Sequence, residues 1–164
     1  MLLAQANIAL FRWSLNDKRM VAFTDQIQPV NELAKRSSGF IWRYVDSYVP
    51  RETSAPWNNE LLFFNMPVLR DFASLSQFMH HETHRAVMQN REKWTKPVAI
   101  PSVAMWWIED KHRPNVDDAI RAFASIVTHG DSVTAFSIRS AYRNLEVWLE
   151  ACAKSGNTLQ KPEH

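Results

Sequence analysis

Between Ser74 and Lys96 the chain carries His80, His81, His84 and Arg91 beside Trp94. At about 100° per residue, a helix puts His80, His84 and Arg91 on one narrow stripe and turns His81 about 60° away. An imidazole titrates near neutral pH, so His84 suits an acid or base role. Arg91, two turns on, could hold a carboxylate, enolate or phenolate by charge-assisted hydrogen bonds. Asn7 and Asn65 lie in otherwise apolar segments, where an unpartnered amide costs roughly 1–3 kcal/mol. Either could polarise a substrate carbonyl, with Asn7, in mid-strand, better placed than Asn65. Each of these residues also has a structural reading, as a solvent-side or interface histidine, a surface ion pair, or a cross-strand hydrogen bond.

His80 and His84 form an HxxxH pair, but His81 occupies the place where the familiar zinc helix carries Glu. No metal is therefore assigned. Trp42, Phe64 and Trp106 offer aromatic surface from three strands, either as core or as the wall of a cavity for a flat hydrophobic ligand. Adjacent Trp106 and Trp107 must face opposite sides of their sheet. With three glycines in the chain, no phosphate loop, dinucleotide fingerprint or GxSxG elbow can be found. No cofactor is predicted; a haem- or metal-binding enzyme using His80 and His84 stays open as a third reading.

The elements that must position these residues follow from periodicity. Leu3 to Phe11 alternates as a strand, with Gln5 and Asn7 on one side and Ala4, Ala6, Ile8 and Leu10 on the other. Phe23, Ile27, Val30 and Ala34 have helical spacing, with Pro29 demanding a kink or a late start. FIWRYVDSY (40–48) reads as a strand with Phe40, Trp42 and Tyr44 on one side and Ile41, Arg43 and Val45 on the other. LLFFNMPV (61–68) is its hairpin partner, with Pro67 at an end or edge. Leu75, Phe78, Met79, Ala86 and Trp94 predict one long helix over 74–96. VAMWWI (103–108) is a strand, and a helix follows from Asn115 to Gly130. AFSIR (135–139) reads as a fifth strand and the segment from 143 as an amphipathic helix, carrying Leu145, Trp148, Leu149 and Cys152, with a mobile tail.

This order predicts an α+β, ferredoxin-like split βαβ antiparallel sheet in one domain, 1–142, with helices on one face and 143–164 as an appendage. The uncovered aromatic face calls for a second copy, giving a homodimeric alpha-beta barrel. A net charge of +2 with scattered basic residues argues against nucleic acid. No stretch approaches the roughly 18 apolar residues of a membrane span, and no signal peptide is read at the start, so the expected location is cytoplasmic. The single Cys152 excludes an internal disulfide.

LAQANIAL, VNELAKRSSGFIWR, the NMPV strand end, HRAVMQNREKW, AMWWIEDKHRPNVDDAIRAF and HGDSVTAFSIR resemble, in order, the motifs of an uncharacterised bacterial and fungal domain-of-unknown-function group. That group stands near the antibiotic-biosynthesis monooxygenases of the dimeric alpha-beta barrel superfamily. The likeness runs from about residue 3 to residue 139; Pro29, the extra His80 and His81 beside His84, and the extension from about 143 depart from it. It implies a ferredoxin-like subunit, a homodimeric barrel and a pocket between sheet and helices, but no reaction, since relatives include oxygenases, haem enzymes, isomerases and cyclases. The resulting expectation is a cofactor-independent enzyme moving a proton on a small hydrophobic carbonyl or phenolic compound, using His84, Arg91 and Asn7, with Trp42, Phe64, Asn65, His80 and Trp106 around the ligand. The alternative is a non-catalytic small-molecule-binding or scaffold dimer.

Overall fold

The computed structural model describes residues 1–44, 59 and 61–143. The expectations for 45–48 and for the segment from Asn144 onward, including Leu145, Trp148, Leu149 and Cys152, lie outside the described residues. The chain folds around one central strand, β1 (Leu2–Phe11), whose two sides are both apolar enough to be covered. One edge of β1 pairs with β3 (Leu62–Asn65) and β4 (Pro67–Leu69), the other with β5 (Thr95–Lys96) and β6 (Val103–Ile108). β2 (Phe40–Arg43) adds outside β4, and every pairing is antiparallel. The fold is thus α+β with an antiparallel sheet.

β3 and β4 keep one register on β1, with Asn7 opposite Asn65 and Leu3 opposite Leu69. They are one strand interrupted at Met66. Pro67 is responsible: it has no N–H to give the ladder. It heads β4 opposite Arg43, at a strand end as expected, although β4 itself lies between β2 and β1. The β2–β4 register shifts between Phe40 and Trp42. This bulge overrides the strict alternation read from FIWR, so that Phe40 and Arg43 both reach one recess while Trp42 and Tyr44 pack on the opposite face.

α1 (Val21–Arg36) runs through Pro29 without the late start expected. Pro29 is exposed and has no N–H to give the carbonyl of Asp25 one turn back. Above the same sheet face stand α2 (Phe72–His80) and α3 (Glu82–Asn90). Phe72, Leu75 and Met79 pack on Leu3, Leu69 and Met105, while Phe23 of α1 and Val87 of α3 pack around Phe11, Phe63 and Trp94.

α4 (Val116–His129) lies on the other side, with Ala119, Ala122, Phe123 and Ile126 against Leu2, Ala4, Ala6, Trp106 and Ile108. Helices therefore cover both faces, correcting the expectation of one. The spacing i, i+3, i+4, i+7 supplies the apolar stripe, and a capping box sets the start: Asp118 N–H donates to Asn115 Oδ1 at 3.1 Å and Asn115 N–H to Asp118 Oδ2 at 2.9 Å. Asn115→Ala is expected to cost about 1 kcal/mol in urea unfolding. The segment expected as a fifth strand forms only a bridge, Phe136 with Met105, before a helical turn at 138–143. Asp131 nucleates that turn by accepting from Ser137 N–H at 2.6 Å and from the Ser137 and Ser140 hydroxyls. No helix among the described residues is long and apolar enough to cross a membrane.

Candidate functional site

The long helix expected over 74–96 is broken at His81, whose backbone is extended (φ −62°, ψ 138°). His81 ends α2 and caps α3, its imidazole accepting from Thr83 N–H at 3.3 Å. Glu82 in the first turn of α3 complements the new helix N-terminus. The single stripe of His80, His84 and Arg91 is consequently lost. His80 is exposed, its Nδ1 2.8 Å from the Ser76 carbonyl. Arg91 is exposed on a 3-10 turn. No three His, Cys, Asp or Glu groups among the described residues converge as metal ligands.

His84 alone of the three turns inward. Its Nδ1 lies 3.1 Å from the Met79 carbonyl and its ring packs 4.8 Å from that of Phe78. A carbonyl only accepts, so Nδ1 carries the proton and Nε2 keeps its lone pair. Burial pushes the His84 imidazole below its ordinary value near 6.5, partly opposed by the Met79 carbonyl. It is a neutral base at pH 7. The linkage has a definite sign: the unfolded chain takes up this proton first, so His84's contribution to stability is complete above about pH 6.5 and is lost as pH falls through the lower native value. Urea midpoints from pH 8 to pH 5 are expected to fall in wild type and to fall less in His84→Gln.

Phe78 also lines a recess of about 30 Å³ between α1, α2 and the sheet, with Asn31 and Ala34 of α1, Phe40 and Arg43 of β2, and Asn65. Pockets for drug-sized ligands run to roughly 300–1,000 Å³, and a water needs roughly 10–15 Å³, so this recess holds a head group at most. Asn65 stands directly across from Asn7, whose buried Oδ1 finds no donor among the described residues. His84, Asn65 and Asn7 thus belong to the sheet face under α1–α3. Trp42, Phe64 and Trp106 belong to the face under α4, so the sheet separates the expected aromatic wall from the expected polar groups. Trp107 faces the first side, 6.0 Å from Phe136, confirming that the two neighbouring tryptophans diverge. The sequence reading missed Arg43 and Asn31, joined by an Nη1 to Oδ1 hydrogen bond of 2.9 Å. A cation in an apolar strand was the available signal.

His112 and Arg113 brace α4 and β2: His112 Nε2 lies 3.1 Å from Asp118, and the Arg113 guanidinium sits 5.9 Å over the Trp42 ring.

No curated protein matches the chain. Among solved structures it is similar to the NE2512 protein of unknown function from Nitrosomonas europaea, at 14% identity over 70% of this chain and 95% of that one (TM-score 0.48). It is also similar to SO0527 from Shewanella oneidensis, at 10% identity over 64% and 88% (TM-score 0.48), and to PA3566 from Pseudomonas aeruginosa, at 11% over 70% and 95% (TM-score 0.46). The profile of one family, a domain of unknown function (DUF3291), matches residues 2–150, nearly the whole chain, and the protein belongs to that family.

Proposed function

We propose that this chain binds a small, mostly hydrophobic carbonyl or phenolic compound on the sheet face beneath α1–α3 and moves a proton on it, with His84 as the base and no cofactor. The tautomer of His84 carries the reading: a half-buried imidazole with Nδ1 committed to a backbone carbonyl presents at neutral pH a lone pair on Nε2, which takes no hydrogen bond among the described residues. Asn65 and Asn7 share that face and are the groups retained for a developing negative charge. Arg91, exposed on its turn, is not retained. Phe78 both lines the recess and packs on the His84 ring, so a compound resting against it is brought beside His84.

Membership of the monooxygenase-like dimeric alpha-beta barrel superfamily, a ferredoxin-like subunit and a cytoplasmic homodimer are parts of the same proposal. The strand order β2, β4, β1, β6 supports the subunit, and the half-buried Trp42 and Leu62 leave apolar surface for a second copy beside α4. Native mass spectrometry of the protein from its own host reads copy number and any retained compound. In turnover assays over small enolisable ketones and phenols, His84→Gln is expected to lower the rate by about 10²–10⁴-fold; an unchanged rate rejects the assignment.

A second reading, a non-catalytic ligand-binding or scaffold dimer, is favoured by the recess of about 30 Å³. Retention of a compound that no preparation of the protein converts would select it.

A further inference from the structure

The Arg43 guanidinium reaches a recess walled largely by Phe40, Ala34 and Phe78, and its hydrogen-bond partner there is the neutral Asn31. Among the described residues no carboxylate lies within ion-pair distance of it. Glu32, whose carboxyl feels the Arg43 charge at longer range, is held by Lys35 at 2.8 Å. A guanidinium has five donors, and a half-desolvated cation is costly until they meet negative charge. Asn65 adds a neutral amide on the same wall.

We propose that this recess is a head-group site for a carboxylate, or for the equivalent enolate, with Arg43 as the residue that reads the charge and Asn65 as its flanking hydrogen-bonding group. The proposal rests on the preceding reading in placing the ligand on this face, and it names the ligand's class. The planar fork of arginine matches a planar carboxylate in two parallel hydrogen bonds. A recess of about 30 Å³ is the scale of such a small head group, leaving the apolar remainder of the molecule against Phe40 and Phe78. Arg43 is here a binding residue, with no part in moving the proton.

The test is an NMR titration of the full chain with acetate and benzoate against acetamide and benzamide, which share their shapes without the charge. Saturable shifts at Asn31, Arg43 and Asn65 are expected with the acids and absent with the amides. Arg43→Gln keeps a donor toward Asn31 while losing the charge, and is expected to weaken acid binding by about tenfold or more, the scale of one charge-assisted hydrogen bond. Asn65→Asp supplies Arg43 with a carboxylate from the chain itself and is expected to abolish acid binding with Arg43 intact. Should Arg43→Gln fail to fold, Asn65→Asp decides alone. Equal binding of amides and acids, or undiminished acid binding in a folded variant, overturns the assignment. The titration reads binding only: acid selectivity without turnover removes His84's role and keeps this one, and turnover without acid selectivity does the reverse.

Discussion

Gly39→Ala is expected to cost about 2–4 kcal/mol, roughly 6–12 °C in melting temperature for a domain of this size. Gly39 is buried in the turn from α1 to β2 with φ +80°, where an L side chain is strained by about 1–2 kcal/mol. An added Cβ would sit 2.1 Å from Ser74 Oγ and 2.6 Å from Ser74 Cβ, so one of the two backbones must retreat. Ser74 cannot yield freely, because its N–H and its hydroxyl both donate to Asp71 Oδ1 at 2.7 Å, the cap that starts α2. Arg70 N–H donates to the Gly39 carbonyl at 2.7 Å, which holds the two segments together. Gly130→Ala is the internal control: its φ is also +80°, but nothing lies within 4 Å of the added Cβ, so it pays for the backbone alone. In urea unfolding Gly39→Ala should exceed Gly130→Ala by about 1–2 kcal/mol. Adding Ser74→Gly should recover part of that excess, giving a favourable coupling in the double-mutant cycle. Equal losses in the two alanine variants would show that the turn yields and that the close approach to α2 is incidental.

That contact matters to the site because the α1–β2 turn positions two of its residues, Asn31 and Arg43, on either side of Gly39. Little of it could be read in advance. Alternation does identify β1 closely and an unbroken apolar run identifies β6, while the apolar spacing of α4 with Asn115 before it and Gly130 after it gives the helix ends. Those signals are local. The break at His81 was concealed because apolar residues continue on both sides of it and histidine is not a usual cap, although Glu82 in the next position hinted at a helix start. The bulge before Trp42 carries Phe40 over to the side of Arg43, and a single extra residue leaves no periodic trace in a four-residue strand. The facing of Asn7 and Asn65 depends on a register that only pairing fixes. The cover on both faces was present in the sequence but undervalued: VAMWWI is a continuous apolar run, the pattern of a strand buried on both sides, where a strand with one bare face would alternate.

The position of α4 makes Phe123 the second strong test. Phe123→Ala is expected to destabilise the chain by about 3–5 kcal/mol, against about 1 kcal/mol for the more conservative Phe123→Leu. Phe123 is 3% exposed and is the one large aromatic on the buried stripe of α4, whose other contacts are Ala119, Ala122 and Ile126. The sheet beneath it is floored by Ala4, Ala6 and Ala104, which let the helix approach closely but offer little volume to refill a cavity. Removing the ring therefore leaves a void that neighbours cannot close, and the cost rises with its volume. Unfolding should be followed across a hundredfold range of protein concentration. With α4 as the intramolecular cover of this face, the penalty is the same at every concentration. A partner subunit pressing on Phe123 would instead link the penalty to association and make it vary with concentration. A concentration-dependent loss would restore the second copy as the cover of this face, and a loss under about 1 kcal/mol would show that α4 does not anchor there through Phe123 at all.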